Sequence, residues 1–127
     1  MKAKLADLGF SRGVIAETIV TTYDKEGKPN AAPMGVIMKD QQHVLINLFN
    51  STQTHNNIRA NNCAVINLTN NIEIFYKTAF KETNPGGKLP LEWFEKAKVV
   101  HAPRLLLADA TIEVSTNKLV STNEKKT

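Results

Sequence analysis

The stretch "DKEGKPNAAPMGV", Asp24 to Val36, decides how the first half of the chain is read. It begins as a turn and ends as a strand. Gly27 suits the left-handed position of a short hairpin loop, and the residues after it return along a neighbour. Pro29 and Pro33 cannot donate ladder hydrogen bonds, so the returning strand must be interrupted, bulged or at an edge. Asn30, Ala31, Ala32 and Pro33 are small or rigid. A backbone of that kind permits close approach of a flat ligand and frees N–H and C=O groups to meet polar ring atoms.

Before this stretch, "GVIAETIVTTYD" alternates β-branched residues. Ile15, Glu17, Ile19 and Thr21 share one face, and Ala16, Thr18, Val20 and Thr22 the other. After it, "DQQ" turns the chain into a third strand, "HVLINLF". These strands form an antiparallel meander with short loops. The stretch "NLFNSTQTHNNIRANN", Asn47 to Asn62, then places small hydroxyl and amide side chains between a strand and a weak helix, about Thr52 to Ala60. Two readings compete for that cluster. It caps the helix, or it holds a phosphate, because free N–H groups and the helix dipole attract anions.

"CAVINLT" is a fourth strand. In "NNIEIFYKTAF", Ile72, Phe75, Tyr76, Ala79 and Phe80 fall on one helical face, and Asn70 with Glu73 resembles a capping box. Pro90 is placed to start a further short helix with Trp93, Phe94 and Ala97 on its packed face. "RLLLADATIEVST" reads as one or two late strands. The fold class is mainly β with short helices, a small barrel or an open sheet with helical covers. The 127 residues form a single domain, 1–127, with a polar tail over about 116–127.

Composition narrows the function classes. No apolar run is long enough to cross a bilayer, and "MKAKLADLGFSRG" lacks the apolar core of a secretory signal, so a cytoplasmic protein is expected. The net charge is +4, but the lysines are scattered and no basic stripe alternates with stacking aromatics, so no nucleic-acid or membrane partner is expected. The single cysteine, Cys63, excludes an intramolecular disulfide and reads as a packed thiol. His43, His55 and His101 lack metal-ligand spacing and read as surface or edge residues. Glu17 is either a buried acid or an outward-facing strand residue. No catalytic side chain is named, since no residue reads as a dedicated acid or base.

The combination of "DKEGKPNAAPMGV", "STQTHNNI" and "CAVINLT" resembles the FMN-binding split-barrel superfamily. It is similar to the flavin reductase-like branch, with its N-x-A-P strand, T-x-x-N-[IL] helix and V-x-N-[LV] strand in that order. It looks closest to an uncharacterised archaeal flavoprotein branch, and the likeness covers about Ile15 to Phe80. That resemblance implies an FMN-binding split β-barrel, a homodimer with FMN in the subunit groove. Asn30, Ala31, Ala32, Pro33, Met34 and Gly35 would pass the flavin ring and ribityl chain. Asn47 and Phe49 would end the strand beneath it. Ser51, Thr52 and Thr54 would take the phosphate, and Asn57 would brace their helix by bonding nearby backbone.

Arg59, Lys77 and Lys81 are the candidates for a basic phosphate partner, against the alternative that each belongs to a solvated face. Members of that branch usually continue past the point where this sequence stops, so its C-terminus is shorter than theirs. The implied activity is that of an oxidoreductase using NAD(P)H or another hydride donor, with a deazaflavin as a second possible partner. The alternative is a dimeric split-barrel module that binds flavin without turnover or has no flavin.

Overall fold

A computed structural model describes residues 5–49 and 51–119 of the chain. Seven strands and two α-helices carry the fold. The strands are β1 (Ile15–Tyr23), β2 (Pro29–Asp40), β3 (His43–Ile46), β4 (Cys63–Leu68), β5 (Phe94–Lys96), β6 (Pro103–Leu105) and β7 (Ala110–Ser115). The helices are α1 (Gln53–Asn61) and α2 (Ile72–Ala79). Five strands make one curled antiparallel sheet in the order β3-β2-β1-β4-β7, a half-barrel, and β5 with β6 makes a second, two-stranded sheet. No described helix is long and apolar enough to cross a membrane.

The meander is as expected. Gly27 takes φ +82°, and the Asp24 carboxylate accepts the N–H groups of Glu26 and Lys28, which closes the turn. β2 is continuous rather than broken. It pairs with β1 without a slip from Tyr23↔Pro29 to Ile15↔Ile37. β3 covers β2 only from Val36 to Asp40, so Pro29 to Gly35 lie on an edge with no strand partner among the described residues. Pro29 and Pro33 are an even number of residues apart, so both nitrogens point the same way. The Asp24 N–H bonds the Lys28 carbonyl, so in this register the even-numbered residues of β2 bond β1 and both proline nitrogens face the open edge.

Both faces of the sheet are covered, which explains the buried run Thr18 to Thr22 in β1. On one face, Val20, Val36, Met38, Leu48, Ala64 and Ile66 pack with Ile58 of α1 and with Leu5 and Phe10 from the N-terminal segment. On the other face, Ile19 and Ala31 pack with Ile74 of α2 and Leu105 of β6. Beside them Cys63 and Val65 pack with Ala97 and Ala102.

Three local expectations need correction. The α2 face of Ile72, Tyr76, Ala79 and Phe80 is turned outward: Ile72 is 81% exposed, Tyr76 53% and Phe80 49%. The helix docks instead through Ile74 and Thr78, with Phe75 half-buried. Two stripes one helical step apart both satisfy the 3.6-residue period, and Phe75 lies between them, so periodicity did not choose. The cap of α2 is Asn71, not Asn70; its side chain accepts from the Glu73 and Ile74 N–H groups, so no Asn70–Glu73 box forms. The helix expected from Pro90 is one 3-10 turn, Leu91–Trp93, after which the chain enters β5 and Phe94 pairs with Leu105.

Among the histidines, His43 is exposed and paired with Asp40, and His101 is exposed and lies against Tyr23. His55 is the exception. It is 4% exposed, and its Nδ1 has no described hydrogen-bond partner. Glu17 faces outward, and Cys63 is buried, donating to the His101 carbonyl at 3.2 Å. Burial pushes the thiol's pKa up, against a smaller opposing effect of the His101 carbonyl.

Candidate functional site

The open edge of β2, the end of the β3 strand and the first turn of α1 face one another across a cleft. The end of α2 and the residues after it also line it. The cleft holds about 690 Å³ and is lined by Asn30, Ala32, Pro33, Met34, Gly35, Asn47, Leu48, Phe49, Thr52, Gln53, Thr54, Thr78, Ala79, Lys81 and Glu82. That volume lies within the roughly 300–1,000 Å³ typical of small-molecule sites. The wall made by β2 is small because of its sequence. At Gly35 an added Cβ would stand 2.7 Å from Ile15 Cγ2, so the tight β1–β2 packing at this point requires glycine.

The α1 wall is polar because a helix starts there. Thr52 is the N-cap: its hydroxyl accepts the His55 N–H at 3.1 Å and donates to the Phe49 carbonyl at 2.9 Å. Asn62 closes the helix in the left-handed conformation at φ 59°, returning its N–H to the Ile58 carbonyl. The expected helix is therefore present, displaced by one residue.

Nine of the residues singled out in the sequence meet at this cleft: Asn30, Ala32, Pro33, Met34, Gly35, Asn47, Phe49, Thr52 and Thr54. Three do not line it. Ala31 is fully buried on the α2 face of the sheet. Strand alternation sends Ala31 and Ala32 to opposite faces. Ser51 is exposed and off the wall. Asn57 is buried on the side of α1 facing β1, where it donates to the Thr22 hydroxyl at 2.9 Å and accepts from Gln53 Nε2 at 2.6 Å. Its amide bonds side chains there, not the nearby backbone that was expected.

Of the three basic candidates, only Lys81 reaches the cleft. Arg59 is exposed on α1. Lys77 pairs with Glu73 at 2.8 Å and lies over the Trp93 ring at 5.9 Å. The Lys81 ammonium donates to Asn30 Oδ1. Asn30 Nδ2 in turn approaches the Thr54 hydroxyl at 3.4 Å. Burial pulls the Lys81 ammonium below the usual lysine range. Gln53, Thr78 and Glu82 also border the cleft, and no sequence signal marked them. Among the described residues no cluster of His, Cys, Asp or Glu could hold a metal ion.

Residues 16–127 match the N-terminal domain of DUF447, a family of proteins of unknown function. The chain belongs to that family. The domain is similar to the crystal structure of the FMN-bound protein MM1853 from Methanosarcina mazei, a DUF447 protein, at 25% identity and a TM-score of 0.79. The match covers 96% of this chain but 59% of that one, so the domain spans little more than half of that protein's length. Flavoredoxin of Desulfovibrio vulgaris (Miyazaki F) shares the fold at 16% identity and a TM-score of 0.68, covering 99% of this chain and 71% of that one. So does 2-nitrobenzoate 2-nitroreductase NbaA of Pseudomonas fluorescens, at 17% identity and a TM-score of 0.69, covering 98% and 66%. The half-barrel of this DUF447 domain is thus the split-barrel fold that the three-part pattern implied.

Proposed function

We propose that this domain binds FMN in the cleft and works as an FMN-dependent oxidoreductase, taking a hydride from NAD(P)H or another donor. One observation carries the reading: two segments separated in sequence, Asn30–Gly35 and Thr52–Thr54, meet at one cleft with small residues on one wall and donors on another. The FMN-bound Methanosarcina mazei relative supports the choice of ligand. The flavin supplies the redox chemistry when bound. The chain's own part is to admit the ring along Ala32–Gly35, to seat it above Asn47 and Phe49, and to meet the phosphate with Thr52, Thr54 and Lys81.

The outward face of α2 supports a homodimer. Ile72, Tyr76 and Phe80 are exposed beside Ala79 and Lys81 of the cleft wall, and a twofold partner there would cover apolar surface and close the cleft together. A cytoplasmic setting fits the buried, unpaired thiol of Cys63.

The test is the visible absorbance of the purified protein, with mass spectrometry of what it releases on denaturation. A yellow protein releasing FMN is expected. A colourless protein that also refuses added FMN would overturn the reading. A second reading, flavin binding without turnover, is favoured by the cleft's ionisable groups, which among the described residues are only Lys81 and Glu82. Bound FMN that is not reduced by NADH or NADPH would support it.

A further inference from the structure

The large sheet ends in β7, and among the described residues no strand pairs with its outer side. The Thr116 N–H bonds the Asn62 carbonyl, which sets the phase of the β4–β7 ladder. In that phase Ala110, Ile112 and Val114 bond β4, and Thr111, Glu113 and Ser115 present their N–H and C=O groups outward. None of those three N–H groups has a hydrogen-bond partner among the described residues. β7 contains no proline, unlike the open part of β2, so every outward residue can donate. Its one charge is turned aside, because the Glu113 carboxylate accepts the Lys98, Val99 and Val100 N–H groups of its own chain. On the other side of the strand, Ile112 and Val114 pack against the core and stay half-exposed.

We propose that the outer edge of β7 is a docking surface for β7 of a second copy, the two strands running antiparallel across a twofold axis at Glu113. In this register all three outward residues find an outward partner, and in any shifted register at least one loses it. Thr111 lies opposite the partner's Ser115, a hydroxyl against a hydroxyl. Ile112 lies opposite the partner's Val114, so each copy covers apolar surface that the other leaves half-exposed. Exposed Asp109 precedes β7 and exposed Lys118 follows it, and neither is in a described ion pair. Antiparallel pairing brings these opposite charges to the same end of the contact. The two Glu113 residues meet on the axis, but each carboxylate is already held by its own chain's N–H groups. The cleft and α2 lie toward the β3 end of the sheet, so this contact covers neither. It is independent of the flavin reading.

A strand edge of six residues buries less than the roughly 1,000 Å² of a stable interface, so the association is weak and a covalent trap suits it. The experiment is disulfide trapping of the full chain, with Thr111→Cys and Ser115→Cys made singly and together and Cys63 retained. Opposite residues of a bonded antiparallel pair have Cα atoms about 5.5 Å apart, within disulfide reach. Four residues apart along one strand, the two positions cannot bridge within a chain. On oxidation the double variant should run as a covalent dimer on a non-reducing gel, and each single variant as a monomer. An equimolar mixture of the two single variants should also give the dimer. Adding Tyr76→Glu should leave the trapping unchanged.

Circular dichroism reports folding, and Ile112→Cys with Val114→Cys reads the same register from the other face should the first pair fail to fold. No dimer in either double variant, or as much dimer in the single variants as in the double one, overturns the proposal. Trapping that disappears with Tyr76→Glu would mean that the α2 contact brings the strands together, and it overturns β7 as a docking surface in its own right.

Discussion

Asn67 in β4 accepts the Leu105 N–H of β6 through its Oδ1 at 2.8 Å. Its Nδ2 donates to the Ile19 carbonyl and to the Thr21 hydroxyl, each at 2.9 Å. Thr21 passes the link on by donating to the Pro103 carbonyl at 2.6 Å. One fully buried amide thus fastens the small sheet to the large one. Asn67→Leu keeps the bulk and strands the Leu105 N–H without a partner. A buried unsatisfied donor costs about 1–3 kcal/mol, and the lost bonds to β1 add to it. We expect a loss of about 2–4 kcal/mol, read from the midpoint of urea unfolding at unchanged slope.

Glu113 of β7 accepts three backbone N–H groups, from Lys98 at 3.0 Å, Val99 at 2.7 Å and Val100 at 2.9 Å. Burial pushes its carboxyl up, but those N–H groups and the Lys98 charge outweigh it and hold the carboxyl below the usual glutamate range. A lowered pKa stabilises the fold above the unfolded value and loses that contribution as pH falls through the folded one. Glu113→Gln should therefore cost about 1 kcal/mol near neutral pH, a figure kept small because the group is largely solvated. The cost should shrink as the pH falls below the usual glutamate range, where the unaltered protein loses its charge as well. Thermal melts across pH 3 to 7 check the convergence.

The helix cap separates two neighbouring residues with similar side chains. Thr52→Ala removes the acceptor for the His55 N–H and should cost about 1 kcal/mol. Ser51 is exposed and off the cleft wall, so Ser51→Ala should leave both stability and FMN affinity within error. A large loss of FMN binding on Ser51→Ala would mean that the phosphate lies further out on the loop than the cleft indicates.

The outward face of α2 predicts an assembly defect without a folding defect. Exposed positions tolerate substitution within about 0.5 kcal/mol in the isolated subunit. Tyr76 and Phe80 lie tilted against each other on this face with their ring centroids 5.2 Å apart. Tyr76→Glu places a charge in the proposed twofold contact. Light scattering should then report a monomer with an unchanged circular dichroism spectrum, against a dimer for the unaltered chain. A monomer in both cases would remove the proposed twofold contact.

What could be read from the sequence is what neighbours in sequence decide. The Asp24–Lys28 turn, the Thr52 cap and the Asn62 stop are settled within four residues, and all are found where local chemistry puts them. The cleft's β2 wall was legible for the same reason, since Pro29 and Pro33 speak about their own edge. The α2 face was not, because the partners of Ile74, namely Ile19 and Ala31, lie far from it in sequence. Nor was the place of Lys81, one of three equivalent-looking cations, which depends on where α2 stops relative to a strand 51 residues away. The role of Asn67 was hidden inside an apolar run, where nothing local distinguishes a buried clamp from an ordinary strand amide.

The seven residues of β2 beyond β3 have a further consequence. An open, regular strand edge is a template on which other chains can add themselves, and proteins protect such edges. Along Pro29 to Gly35, two of the positions facing that edge are prolines and cannot offer an N–H to an incoming strand. The residues that keep the cleft wall low thereby also withhold donors from an incoming strand. Replacing Pro33 with valine would leave the β1 ladder intact and return a donor to the rim. The cost would appear as aggregation on standing, not as a lower melting temperature.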